Sequence, residues 1–353
     1  MAISFTPIQK RVLIILLLQN ASYTLLRRFS IGVRQDTYSY HECLFLAELF
    51  KLGLSLYKIQ ADEEYVNKGL TFQKYVQGVV LESSKMMILA WIYALMNVLS
   101  FVSLARIDAS TFTIVAQLKV LSTGLFSYLI LNKQFSKVKV VALFNLVCGA
   151  ILVTTPSISS SEDTTNDGSG AGGSKFIGIL AVALEVTLSG FASIYFEKVV
   201  KGAGLKSGQP LLGIFERNVQ LALHSLPFYI CMIMFSSEKL GEGWNLYGIM
   251  LAVMGGGGGI LVALSVKYAD SILKTLATSG SIVLSTLVGW LLLDGPLTFV
   301  MLIGVGLVLA AIWLYTFDPT PPTQPANVTE KAKEVEAVPL ISPNNSKKES
   351  NNV

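Results

Sequence analysis

Apolar residues along this chain are gathered into long runs separated by short polar intervals. Ten such runs occur near residues 11–26, 38–59, 86–106, 110–131, 138–155, 176–196, 212–236, 245–267, 271–293 and 297–317. Most approach the length of about 20 residues that a helix needs to cross a bilayer, so the pattern predicts ten transmembrane helices. Lys10 and Arg11 precede the first run as they would in a signal peptide, but no small-residue cleavage site follows. That run is expected to be retained as a helix.

Three intervals read as aqueous. Residues 60–85 mix Asp62, Glu63 and Glu64 with Lys68, Lys74 and Lys85 and predict an amphipathic connecting helix. Residues 157–174 are rich in Ser, Gly and Asp and predict a flexible linker. From 318 to 353 the chain is rich in Pro, Asn, Glu and Lys, a composition that cannot bury enough apolar surface to order itself. The expected organisation is a first five-helix repeat (1–155), a lumenal linker (156–175), a second five-helix repeat (176–317) and a cytosolic tail (318–353).

Composition supports the membrane reading. Of 353 residues, 52% are hydrophobic and 14% charged, with a mean hydropathy of +0.58. A soluble domain carries about 25% charged residues. Cys43, Cys148 and Cys231 lie inside apolar runs and are expected to pack as small hydrophobes, which excludes a disulfide scaffold. Three scattered cysteines and two histidines give no zinc-ligand spacing, and a dispersed net charge of +4 gives no nucleic-acid footprint. No cofactor is implied.

With the N-terminus cytosolic, that side collects 16 of the 27 Lys and Arg, the opposite side collects 6, and the rest lie within or at the edges of spans. Positive charge favours the cytosolic loops, so both termini are expected in the cytosol. The pair Arg27 and Arg28 opposes the rule locally. The tail carries two glycosylation sequons, at Asn327 and Asn344.

Leu118-Lys119-Val120-Leu121-Ser122-Thr123 recurs as Leu273-Lys274-Thr275-Leu276-Ala277-Thr278, in the fourth span of each half. A repeat with an odd number of spans must be inserted upside down the second time, giving the inverted-repeat design of secondary transporters with a midplane site. A lysine near the bilayer centre costs about 2.5–3.5 kcal/mol, so Lys119 and Lys274 need partners or a wet cavity. Two readings stand: together they neutralise the phosphates of an anionic substrate, or each pairs with a carboxylate, Glu185 and Glu48 being candidates. Glu48 and Lys51, three apart, are placed for a mutual ion pair. Glu216 and Arg217 are expected at the interface, whereas Asn218 and Gln220 lie deeper, free to bond a nucleobase or a neighbouring helix. The five glycines 255–259 lack a following Gly-Lys-Ser/Thr and are expected to let helices approach closely. No nucleophile–base pair or carboxylate cluster marks an enzyme.

These residues resemble the nucleotide-sugar transporters of the CMP-sialic acid and UDP-galactose type, within the drug/metabolite transporter superfamily. The resemblance is carried by Leu18-Gln19-Asn20-Ala21-Ser22, Glu48-Leu49-Phe50-Lys51, Tyr93 to Asn97, Gln117-Leu118-Lys119 and Leu131-Asn132-Lys133. It continues through Tyr195-Phe196-Glu197-Lys198, Arg217-Asn218-Val219-Gln220 and Val266-Lys267-Tyr268-Ala269-Asp270. It implies a ten-helix Golgi antiporter in which Lys119 and Lys274 match phosphate-binding positions and Asn97 and Gln117 match sugar-side positions. The implied partners are a nucleotide sugar, a nucleoside monophosphate and the bilayer, with a homo-oligomer left open. Ala222 and His224 depart from the CMP-sialic acid members, and the run from Lys119 to Ser127 is similar to UDP-galactose and UDP-N-acetylglucosamine members. The expectation is UDP-sugar for UMP exchange. The alternatives are a CMP-sialic acid/CMP exchanger and, from another class, a multi-pass glycosyltransferase.

Overall fold

The computed structural model describes residues 6–62, 66, 69–104, 106–107, 109–159, 172–202, 212–236, 239–293 and 297–318. Every regular element among them is helical. In chain order these are α1 (Pro7–Arg27), α2 (Tyr40–Asp62), α3 (Phe72–Leu81), α4 (Ser84–Leu104), α5 (Ala109–Gln117) and α6 (Lys119–Leu131). There follow α7 (Lys137–Ser159), α8 (Gly172–Val200), α9 (Ile214–Phe235), α10 (Leu246–Tyr268), α11 (Ser271–Leu293) and α12 (Phe299–Thr316). A π-helical turn, Arg28–Val33, closes the end of α1.

Helix boundaries follow local chemistry. Thr6 and Gln9 form a capping box around Pro7, which needs no amide partner at a helix start. Thr71, Asn245 and Thr298 cap α3, α10 and α12 through their side-chain oxygens. Asn132 ends α6 in the left-handed conformation, at φ 51°.

Nine segments among the described residues are long and apolar enough to cross a membrane, with α5 and α6 together making one of them. The remaining expected stretch is α2, whose 23 residues carry Glu42, Glu48, Lys51 and Lys58. Its charges are tolerable because α2 lies against α9 and α10, with Glu42 and Lys51 buried. The outer faces are apolar: Ile14, Trp91, Leu129, Phe176, Leu180, Leu309 and Trp313 are all exposed. The chain is an all-α, multi-pass membrane protein.

Helix neighbours recur between the halves. α1 packs on α10 and α11, while α8 packs on α4 and on α5–α6. α2 packs on α10 and α9 on α4, with α2–α9 and α7–α12 joining the halves. Exchanging α1 with α8, α2 with α9, α4 with α10, α5–α6 with α11 and α7 with α12 reproduces these main contacts. The glycines of α10 work as expected. A Cβ on Gly256 would strike the Ala47 carbonyl oxygen, one on Gly258 would lie 2.5 Å from Gln19 Nε2, and one on Gly259 3.2 Å from Lys51 Cδ. They let α10 sit against α1 and α2 at once.

Within the expected connecting segment, α3 buries Tyr75 and Val79 against Ile59, Leu212 and Val219. α7 extends to Ser159 and α8 begins at Gly172, so residues 160–171 of the expected linker lie outside the described residues, as does the tail beyond 318.

Candidate functional site: two lysines without ion pairs

The fourth span breaks where its lysine stands. α5 ends at Gln117 and α6 begins at Lys119, with Leu118 between them and its amide donating to Val115 O at 3.0 Å. This tighter turn interrupts the α-helical ladder and turns the start of α6. Lys119 keeps accessible surface although it stands midway along the span, and Gln117 beside it is buried. One turn on, Ser122 meets α8 so closely that a Cβ on Gly190 would lie 2.7 Å from its carbonyl carbon.

Lys274 occupies the first turn of α11. Its Nζ donates to Ser193 Oγ at 3.2 Å, while Ser271 Oγ donates to Ser193 O at 3.0 Å, fastening α11 to α8. Lys274 lies within reach of two opposing charges, the Lys119 ammonium and the Glu197 carboxylate. Glu185 also acts on Lys119, but its Oε2 accepts from Ser100 Oγ at 2.9 Å. Glu48 is taken: its Oε1 accepts from Lys51 Nζ at 2.7 Å, the expected i, i+3 pair. Among the described residues, neither Lys119 nor Lys274 has a carboxylate within ion-pair distance. Two lysines without such a partner inside an apolar bundle leave positive charge there to be compensated.

Asn97 belongs to a second group. It lies close to Tyr229 of α9, and the charge of Glu48 reaches Tyr229 and Tyr93. Asn218 and Gln220 make hydrogen bonds within α9 and to α3. Asn218 Nδ2 donates to Ile214 O at 3.0 Å; Gln220 Nε2 donates to Val79 O at 2.6 Å and its Oε1 accepts from Arg217 Nη1 at 3.0 Å. Glu216 and Arg217 stand in the first turn of α9, at its end, yet are covered by protein. Both are buried, and Glu216 Oε1 accepts from Tyr75 Oη at 3.1 Å because α3 covers the start of α9.

Sequence reasoning missed a charged network at one end of the bundle. Lys133 Nζ lies 2.8 Å from Glu197 Oε1 and 3.3 Å from Asp270 Oδ2, and Lys201 Nζ lies 2.9 Å from Glu197 Oε1. Glu197 Oε2 accepts from the Ser271 amide at 2.8 Å, and Lys201 also donates to Ala269 O at 2.6 Å. The network joins the ends of α6 and α8 to the α10–α11 turn. Burial disfavours the Lys133 charge, but Asp270 and Glu197 outweigh it and hold that ammonium above the ordinary lysine range. A carboxylate inside an apolar span, followed four residues later by Lys201, was the available signal.

Among the described residues, no group of three or more His, Cys, Asp or Glu is placed to hold a metal ion. A cavity of about 660 Å³ lies between α6 and α7 and is lined largely by apolar groups such as Leu121, Leu125, Phe135 and Leu143.

Fold and site together define a polytopic membrane protein of the carrier class. The family model for nucleotide-sugar transporters matches residues 5–316, and the chain belongs to that family. It is 34% identical over 312 residues to the UDP-galactose/UDP-N-acetylglucosamine transporter srf-3 of Caenorhabditis elegans, covering 86% of this chain and 81% of that one. It is 32% identical to the UDP-N-acetylglucosamine transporter of Rattus norvegicus (88% and 96% covered) and 32% to the UDP-galactose transporter of Schizosaccharomyces pombe (90% and 90%). A crystal structure at 16% identity superposes with a TM-score of 0.59 over 87% of this chain and 97% of the other, a likeness of fold.

Proposed function

We propose that this chain is a Golgi antiporter that brings a UDP-sugar, UDP-galactose or UDP-N-acetylglucosamine, into the lumen and returns UMP, with both termini cytosolic. It is a carrier and not an enzyme: the relatives named above are transporters. The observation that carries the reading is the pair Lys119 and Lys274, one from each half and neither in an ion pair among the described residues. In this reading they clamp the substrate's phosphates by charge-assisted bonds, with Gln117 beside Lys119 and Asn97 toward the sugar. Asn218 and Gln220 are assigned to packing.

The same pair supplies a reason for exchange. Closing the bundle around two naked ammonium groups is costly in a low-dielectric interior, and a bound nucleotide removes that cost. Reorientation of the loaded carrier is then faster than return of the empty one. The moving parts are two inverted five-helix repeats, 1–155 and 176–317, joined by a lumenal linker at 156–175, giving ten crossings with α2 included. A CMP-sialic acid substrate is disfavoured because the position in α9 where those members carry Ser holds His224, whose Nε2 lies 2.8 Å from Ser83 Oγ.

The test is counterflow in proteoliposomes with a panel of labelled nucleotide sugars. External UDP-galactose or UDP-N-acetylglucosamine should accelerate release of internal UMP, while CMP-sialic acid should not. Release that ignores every external nucleotide sugar would remove coupled exchange.

A further inference from the structure

Arg27 and Arg28 stand at the end of α1, on the side that the charge rule keeps poor in Lys and Arg. Arg27 has a structural occupation, with its guanidinium carbon 5.1 Å from the centre of the Tyr40 ring. The Arg28 side chain is exposed and has no ion pair, hydrogen bond or ring partner among the described residues. Instead it lines a cavity of about 330 Å³ whose wall combines the apolar Leu25, Val153 and Ile282 with Thr24, Thr113, Thr154, Ser285 and Thr286. That volume falls in the range of small-ligand sites, roughly 300–1,000 Å³.

Helices that line this cavity also carry polar residues deeper in the bundle. On α1, Asn20, Thr24 and Arg28 fall four residues apart, and Asn20 Nδ2 is buried with no hydrogen-bond partner. On α11, Lys274, Thr278, Ile282 and Thr286 also fall four apart. On α5, Thr113 stands one turn before Gln117. Residues four apart adjoin on a helix surface, and each such step turns about 40°, so Thr286 lies about 120° round α11 from Lys274. From Lys274 to Thr286 the rise is about 18 Å.

We infer that the Arg28 cavity is a second phosphate site, which takes the terminal phosphomonoester of a nucleoside monophosphate arriving from that end before it reaches Lys119 and Lys274. The inference rests on the exchange reading above. A phosphomonoester carries about −1.5 to −2 charges at pH 7, and the guanidinium fork matches its oxygens two at a time. The phosphates of a nucleotide sugar are all esterified or bridging, so this site prefers the returning nucleotide over the sugar-bearing one. The hydroxyls serve the ribose. Thr24, Thr154 and Ser285 each donate to a carbonyl of their own helix (Asn20 O, Ala150 O and Ile282 O), leaving oxygen lone pairs to accept from sugar hydroxyls.

The experiment measures half-saturating UMP separately from each face, in proteoliposomes holding the protein in one orientation. Arg28→Gln should raise it about tenfold at the Arg28 face and leave the other face unchanged. Arg28→Lys should fall between, and Arg27→Gln should match the parent protein at both faces. An unchanged Arg28→Gln, or an equal rise at both faces, would overturn the site. Repeating the series with and without phosphatidylserine identifies a headgroup: a difference seen only with the anionic lipid overturns the nucleotide assignment. Parent protein that takes up UMP from neither face removes the exchange reading itself, and this inference with it. Normal parent exchange with an Arg28→Gln that behaves identically removes this inference alone.

Discussion

A Cβ atom added to Gly149 would lie 2.8 Å from the carbonyl oxygen of Gly304, and one added to Gly304 would lie 2.8 Å from the carbonyl oxygen of Gly149. The two glycines are 155 residues apart, as are Lys119 and Lys274. Gly149 also meets Val308, and Gly304 meets Val153. Adding 155 turns Gly149 into Gly304 and Val153 into Val308, so each of those contacts is the other's image. α7 and α12 therefore cross about a local twofold at these glycines, which supports treating the two lysines as mates.

Gly149→Ala and Gly304→Ala should each push the two backbones apart, costing about 1–3 kcal/mol as overpacking does. Because they act at one contact, the double variant should lose less than the sum. Thermal unfolding in detergent measures both effects. Single variants that melt with the parent protein would mean that the crossing is looser than described.

Lys119→Ala or Lys274→Ala should weaken nucleotide binding roughly ten- to a hundredfold, about 1.5–3 kcal/mol for a lost charge-assisted contact. Among the described residues neither lysine has an ion pair to break, so folding should be largely preserved. Thermal stabilisation by UMP reads affinity and folding in one titration. A well-folded variant stabilised at the parent UMP concentration would release that lysine from phosphate binding.

Glu197→Gln should loosen the end of the bundle where α6, α8 and the α10–α11 turn meet. Losing one partner of a buried pair costs about 3–5 kcal/mol, and the part-exposed Lys133 and Lys201 reduce this to about 1–3 kcal/mol. Amide exchange over residues 266–275 should rise. The Lys133 contribution has a defined pH window. Its native pKa lies above the ordinary value of about 10.4, so its stabilisation is complete at neutral pH and is lost only as pH rises past that value. The melting difference between parent and variant should be flat from about pH 6 to 9, and a fall inside that range would contradict the assignment.

A cytosolic tail should leave Asn327 and Asn344 unglycosylated in cells. The check is electrophoretic mobility before and after glycosidase digestion. A shift abolished by replacing both asparagines would invert the orientation.

The sequence by itself determined where the helices lie and which residues were out of place in them. Residues 271–293 were delimited from apolar content alone and coincide with α11, because bilayer crossing is set by length and composition along one dimension. Lys119 and Lys274 stood out for the same reason, and a shared hexapeptide linked them. Tertiary structure decided what each polar group faces. Gln220 is spent on Val79 O, 141 residues away, and Glu197 on Lys133, 64 residues away, while α3 buries Glu216 and Arg217. Arg28 in a cavity and Arg27 on Tyr40 are neighbours in sequence with different surroundings. Such outcomes depend on which helices adjoin, and that is set by close approaches such as Gly149 to Gly304 and Gly256 to Ala47, where backbones touch and no one-dimensional pattern records the partner.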